Sequence, residues 1–270
     1  MIQENMKNLL EKFKEISRKG WIKSIDKGTG SVGLTLERIL DKKPDDLYFP
    51  DYEGIEIKCT TRFSKFPVSL FSVAFEGPEF PEINRIVDLY GYPDYEYHEK
   101  KVLRVDIKCN SIQKCGKYKF SLYLDEHENK LYLDVYNLDN DLIERKSFVY
   151  VDTILKHANL KLTEFALIRA SKKKEEDEIF FRYYHFFGYM IKDEKTIIEL
   201  LKNGILFATL ESRVGKSGIN DGKYKNKNLV FKIGKDDIEK MFTKVCEYNT
   251  DYDINRMIIQ NKKTSFFIMK

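Results

Sequence analysis

PDYEGIEIKCT, residues 50–60, decides how the rest of this chain is read. Ile55 and Ile57 alternate with Glu56 and Lys58, so residues 54–60 are expected to form a short strand with one apolar face. Residues i and i+2 of a strand project from the same face, about 6.6–7 Å apart. Glu56 and Lys58 therefore stand side by side, with Ile55 and Ile57 facing the core behind them. Asp51 precedes the strand, and Gly54 lets the chain bend back toward it. Two carboxylates converging on one point make a hard oxygen site of the kind Mg²⁺ prefers. An ammonium beside that site orients a water or stabilises negative charge on a phosphorane-like transition state. An ion pair on an exposed strand edge explains E-x-K alone. It leaves unexplained the acid before the strand, the glycine and the apolar alternation.

Upstream lies GTGSVGLTLE, residues 28–37, in which Gly28, Gly30 and Gly33 spell G-x-G-x-x-G, with Asp51 about twenty positions on. A dinucleotide site needs a buried parallel strand running into such a turn. WIKSIDK, residues 21–27, is short and carries charges at 23, 26 and 27, and the later pattern is one of hairpins. No G-K-[ST] stands directly after these glycines, which excludes a P-loop there. The glycines are read instead as a turn into a helix capped at Gly30 or Ser31 and running to about Leu40. Glu37, one turn into that helix, is a candidate third carboxylate.

Helical spacing of Met6, Leu9, Leu10, Phe13 and Ile16 predicts a helix over 4–18, stopped by Gly20. Strands are expected at 68–76, 101–109, 117–125, 130–137, 162–170, 178–187, 205–212 and 228–233, and a loop at 76–85. Helices are expected at 151–160, 192–204 and 235–248. The class is α+β with a mixed sheet flanked by helices. Thirty-six of 270 residues are Phe or Tyr, which argues against disorder. The net charge of +4 is small, yet 33% of residues are charged, so local patches carry the electrostatics. The opening residues hold no apolar signal segment and no long apolar run follows, so a cytoplasmic, membrane-free protein is expected. Cys59, Cys109, Cys115 and Cys246 form no C-x-x-C pair and are read as free thiols, not zinc ligands.

G-T-G-S-V-G-L-T-L-E followed by P-D-Y-E-G-I-E-I-K resembles the MvaI/BcnI family of type II restriction endonucleases. More distantly it is similar to the mismatch-repair nicking endonuclease MutH. Both belong to the PD-(D/E)xK nucleases. The resemblance is clear over about residues 20–76 and fainter over 162–242. It implies a restriction-endonuclease-like core with a second DNA-recognition lobe, divided approximately as 1–160, mainly catalytic, and 161–270, mainly recognition, with the two lobes free to interleave along the chain. It implies that Asp51 and Glu56 bind Mg²⁺, that Lys58 is the catalytic lysine and that Glu37 supports metal or lysine. Mn²⁺ is an expected substitute, and Ca²⁺ is expected to support binding only. Asp45 and Asp46 compete with Asp51 for the first acid; Asp51 is preferred because it lies just ahead of the strand. On this reading the three glycines let the loop and helix start pack closely on the catalytic strand and its DNA. A monomer wrapping double-stranded DNA and cutting one strand at a time is implied, with a cognate methyltransferase encoded nearby.

Residues 212–235 carry seven Lys or Arg against Asp221 alone, a local charge of +6. Beside a nuclease motif they are read as a DNA-contacting loop. Arg213, Lys216, Asn220, Lys223, Lys225, Asn226 and Lys227 are its candidate contacts, with Arg62 beyond the catalytic strand. A second basic stretch, residues 101–119, is expected as a strand pair with one polar face. EIFFRYYHFF, residues 178–187, reads as core with one exposed edge, leaving Arg182 and His185 to reach DNA. Two rival functions stand beside a two-strand restriction enzyme: a MutH-like repair nickase, and a DNA-binding module without cleavage.

Overall fold

The computed structural model describes residues 3–28, 30–41, 50–216 and 218–250, with the side chains of 226–228 outside the description. In chain order the elements are α1 (Glu4–Arg18), β1 (Ile22–Lys23), α2 (Ser31–Ile39), β2 (Ile55–Thr61), β3 (Val68–Val73), α3 (Glu82–Tyr90), β4 (Tyr92–Pro93), β5 (Lys101–Ile107), β6 (Gln113–Cys115), β7 (Tyr118–Asp125) and β8 (Lys130–Tyr136). There follow β9 (Leu142–Glu144), β10 (Phe148–Tyr150), α4 (Val151–Leu162), β11 (Glu164–Glu175), β12 (Glu178–Ile191), α5 (Glu194–Lys202), β13 (Leu206–Val214), β14 (Tyr224–Ile233), α6 (Ile238–Met241) and β15 (Phe242–Asn249).

The chain divides into two compact units, and neither is contiguous. The first takes residues 1–65, 160–191 and 242–270, the second 66–159 and 192–241. The two units interleave along the chain, because β2 pairs in parallel with β11, Ile55 opposite Glu164 through Thr61 opposite Ala170. That pairing draws the later part of the chain back onto its beginning.

The first unit is built on a mixed sheet in the order β1-β12-β11-β2, with β15 also paired to β12. Every neighbour pair except β2–β11 is antiparallel. Two helices cover one face. From α1, Met6, Leu9, Phe13 and Ile16 are buried; from α2, Val32 and Leu36. They pack on Ile55, Ile57, Ala166, Ile168, Ala170, Phe181, Tyr183 and Phe186. Burying such side chains stabilises by roughly 1.5–3 kcal/mol each. Where β12 meets β15 and α1, the backbone is packed too tightly for any side chain. A Cβ on Gly188 would lie 2.5 Å from Cys246 Sγ and 2.9 Å from Met6 Sδ. Gly188→Ala is therefore expected to destabilise the fold by about 1–3 kcal/mol through overpacking, read as a lowered urea midpoint at unchanged slope.

The second unit contains two five-stranded sheets, one in the order β10-β8-β7-β6 with β9 on β8, the other β3-β14-β13-β5-β4. The basic stretch 101–119 is accordingly not one strand pair, since β5 pairs with β13 and β4, and β6 with β7.

Some local expectations fail for identifiable reasons. Residues 235–248 are not a helix; one turn, α6, gives way to β15, which pairs with β12 from Phe242–Ile191 to Asn249–His185. Thr243, Val245 and Tyr248 are strand formers, and the open edge of β12 supplies the partner. The expected loop at 76–85 contains the start of α3, whose buried Ile83, Ile86, Val87 and Tyr90 recur at helical spacing behind Pro81. The turn between β11 and β12 is also tighter than expected, only Glu176 and Asp177.

Candidate active site

Tyr52, Glu53, Gly54 and Ile55 form a two-residue reversal. Tyr52 N–H donates to Ile55 O at 2.9 Å and Ile55 N–H to Tyr52 O at 2.7 Å. Both central residues have positive φ, 45° at Glu53 and 89° at Gly54, the signature of a type I′ turn. The reversal folds Asp51 back over the strand, where its Oδ2 accepts the Ile57 N–H at 2.9 Å. Asn5 Nδ2 donates to Glu53 O at 2.8 Å and clamps the turn to α1.

Glu56 and Lys58 project from the same face of β2 and are ion-paired through Oε1 and Nζ. The Glu56 side chain is 1% exposed and that of Lys58 30% exposed. Glu56 Oε2 is buried without a hydrogen-bond partner. Burial raises the Glu56 pKa, opposed by Lys58 and reinforced by Asp51. Burial acts to lower the Lys58 pKa, but Glu56, Asp51 and Glu37 outweigh it and raise it. Lys58 is thus held as an ammonium. Glu37 is half-buried on α2 and acts on both Lys58 and Cys59. Asp51, Glu56, Lys58 and Glu37 are gathered at one end of one sheet. Among the described residues no group of three or more His, Cys, Asp or Glu stands at metal-holding geometry. Asp45 and Asp46 lie outside the described residues. Lys161, at the end of α4, also acts on Glu56; no local pattern in the sequence marks it, because only the fold brings it near.

Close packing on β2 does not require these positions to be glycine. A Cβ at Gly30 would meet nothing within 4 Å, and at Gly33 only Glu37 Oε1 at 3.7 Å. At Gly28 it would meet only Asp26. Helix α2 reaches the core through Val32 and Leu36 instead, and Val32 O accepts the Tyr183 hydroxyl at 2.7 Å.

The other candidate residues fall in both units. Arg62 follows β2, is exposed, and lies 5.7 Å from the Tyr184 ring. In the second unit Arg213 is paired with Lys225 across β13–β14, and both line a recess with Asp94 and Lys216. Lys216, Asn220 and Lys223 are exposed. Lys216 is ion-paired with Asp94, and that contact, with the Tyr97 N–H, holds the Asp94 carboxyl down to about 2. Tyr97 OH donates to Asp221 Oδ1 at 2.6 Å, and Lys100 to Gly222 O. The loop is therefore pinned at its tip. The side chains of Asn226 and Lys227 lie outside the described residues. His185 does not reach outward: it is 9% exposed, with Nε2 2.7 Å from Glu247 Oε1, because β15 covers that edge.

A mixed sheet backed by two helices, with an acid–acid–lysine cluster at the end of its parallel strand, is the restriction-endonuclease-like fold. The chain belongs to the MvaI/BcnI restriction endonuclease family, whose sequence model matches residues 10–242. It is a type II restriction endonuclease, a site-specific deoxyribonuclease. The structure is similar to a solved complex of restriction endonuclease MvaI with cognate DNA substrate, with a TM-score of 0.85 at 21% identity over 91% of this chain and 99% of that one. It is also similar to MvaI in the absence of DNA, with a TM-score of 0.56 at 18% identity over 91% and 98%. No curated protein sequence matches it. No described helix is long and apolar enough to cross a membrane.

Proposed function

We propose that Asp51 and Glu56 hold a Mg²⁺ ion and that Lys58 is the electrostatic catalyst of phosphodiester hydrolysis in double-stranded DNA. The observation that carries this is the orphaned, buried Glu56 Oε2 beside an ion-paired lysine. A buried carboxylate oxygen without a donor costs about 1–3 kcal/mol, and a divalent cation is the partner that oxygen lacks. With Asp51 and Glu56 as the protein ligands, water and phosphate oxygens complete the shell, as suits Mg²⁺. When bound, the ion supplies Lewis-acid polarisation of a phosphate oxygen and acidifies a water.

The remaining chemistry belongs to the chain. Asp51 is positioned by the Ile57 N–H, which donates to its Oδ2. Lys58, kept protonated, does not serve as the base; its ammonium stabilises the extra negative charge of the pentacovalent transition state. Glu37 helps keep it protonated. Hydrolysis in this sense leaves 5′-phosphate and 3′-hydroxyl ends. Mn²⁺ is an expected substitute, and Ca²⁺ supports binding alone. The working unit is read as a monomer, with a methyltransferase of the same site encoded nearby.

The basic hairpin β13–β14 is the proposed recognition element, through Arg213, Lys216, Asn220, Lys223, Lys225, Asn226 and Lys227. Lys216 must exchange Asp94 for a phosphate.

Incubating the purified protein with plasmid in Mg²⁺ and sequencing the ends tests the reading. Linear product with 5′-phosphates at one sequence is expected; nicked circles alone point to a repair nickase, and untouched plasmid rejects hydrolysis. Binding measured in Ca²⁺ should weaken about 10³–10⁵-fold between 50 and 200 mM salt if some 6–10 phosphates are contacted. A flat response rejects the DNA-binding surface.

A further inference from the structure

The register of the first unit's sheet fixes which side chains share a face with Lys58. Along β2 and β11, Lys58 is opposite Leu167 and Thr60 opposite Arg169. Arg169 is opposite His185, and past the bulge Ser171 is opposite Arg182. Paired residues project to one side, and so do alternate residues along each strand. Lys58, Arg169 and Arg182 therefore lie on one face. It is the face away from α1 and α2, which pack on Ile57, Ala166, Ile168 and Ala170. Arg62 joins it just beyond β2, its N–H donating to Ala170 O at 2.9 Å.

Each of the three arginines is seated on an aromatic ring. The guanidinium of Arg62 is 5.7 Å from the centre of Tyr184, that of Arg169 4.9 Å from Phe187, and that of Arg182 6.0 Å from Trp21. Stacking restricts a long side chain to few rotamers, so less entropy is lost when its fork meets a phosphate. Arg62 is exposed, Arg169 and Arg182 are half-buried, and Trp21 is 41% exposed. At about 3.3 Å per residue and 4.8 Å per strand, Arg169 lies roughly 8 Å and Arg182 roughly 16 Å from Lys58, Cα to Cα. Phosphates of one DNA strand advance about 3.4 Å along the axis, so the row spans several of them. It ends at the hairpin tip, where Lys173 is paired with Glu175 at 2.7 Å and Lys23 with Glu178 at 3.1 Å.

We propose that Arg62, Arg169 and Arg182 form a phosphate-binding stripe that holds the DNA backbone to one side of the scissile phosphate. The proposal rests on reading Asp51, Glu56 and Lys58 as the nuclease site. It places DNA contacts on the catalytic sheet itself, in addition to those of the basic hairpin.

The test is the salt dependence of binding, in Ca²⁺, to a duplex of about 30 base pairs of arbitrary sequence. Each Arg→Gln substitution should weaken binding about tenfold and reduce the slope of log affinity against log salt by about 0.9. Arg169→Lys and Arg182→Lys should restore the slope, since a point charge suffices for counterion release; a purely structural stack would not be rescued. Arg62→Gln, at an exposed position past the strand, reports even if the half-buried variants fold poorly. An unchanged slope in Arg62→Gln and in the triple Gln variant, with wild-type binding and cleaving DNA, overturns this stripe alone. A wild-type protein that neither binds nor cuts DNA overturns the stripe and the nuclease reading together.

Discussion

Lys58→Ala is expected to abolish cleavage and to leave DNA binding within a few-fold of the wild type. The expected loss is about 10²–10³-fold or more in the single-turnover rate, the scale of removing one preorganised donor from a developing charge. Binding is spared because one ammonium among many cations contributes little to the phosphate contacts. The geometry sharpens the expectation. Lys58 is raised in pKa by Glu56, Asp51 and Glu37 against the effect of burial, so it acts as a fixed charge. Lys58→Arg should therefore retain more activity than Lys58→Ala, whereas a lysine acting as base would lose everything in both. Single-turnover cleavage with Mg²⁺ beside filter binding with Ca²⁺ separates the two effects. Full activity in Lys58→Ala would remove this residue from the mechanism.

Glu56→Gln should abolish cleavage and at the same time make the metal-free protein more stable at neutral pH. Burial, with Asp51 adding to it, raises the Glu56 pKa in the folded chain despite Lys58. Between the ordinary carboxylate value and that raised value the folded state holds the extra proton, so stability falls as pH rises through this window. Neutral Gln removes the slope, and the gain at neutral pH is roughly 1 kcal/mol or more. Divalent ion should do for the wild type what the substitution does for the variant. At one hundred times its Kd an ion stabilises by about 2.7 kcal/mol, and the same addition should leave Glu56→Gln unmoved. Thermal unfolding with and without Mg²⁺ from pH 4 to 8 checks both halves. An unchanged Mg²⁺ response in Glu56→Gln would place the ion elsewhere.

Much of the site is legible in one line of sequence because its parts are local. Asp51, Gly54, Glu56 and Lys58 lie within eight positions, and strand alternation alone sets Glu56 beside Lys58. The bend at Gly54 is readable for the same reason. The glycines before α2 are legible as a turn but not in their packing, since the helix enters the core through Val32 and Leu36. His185 reads as available to DNA because β15, which covers it, resembles a helix when taken alone.

What the sequence by itself determined is the chemistry: two acids and a lysine at fixed short spacing, on a strand whose other face is apolar. Short-range rules of backbone geometry reach that far and need no partner. Only the tertiary structure decided which surfaces those residues share. The parallel pairing of β2 with β11 joins positions more than a hundred residues apart, divides the chain into discontinuous units, brings Lys161 to Glu56 and aligns Arg169 with Lys58; the β11–β12 pairing extends that alignment to Arg182. Such register is a property of two strands together, and neither strand carries it alone.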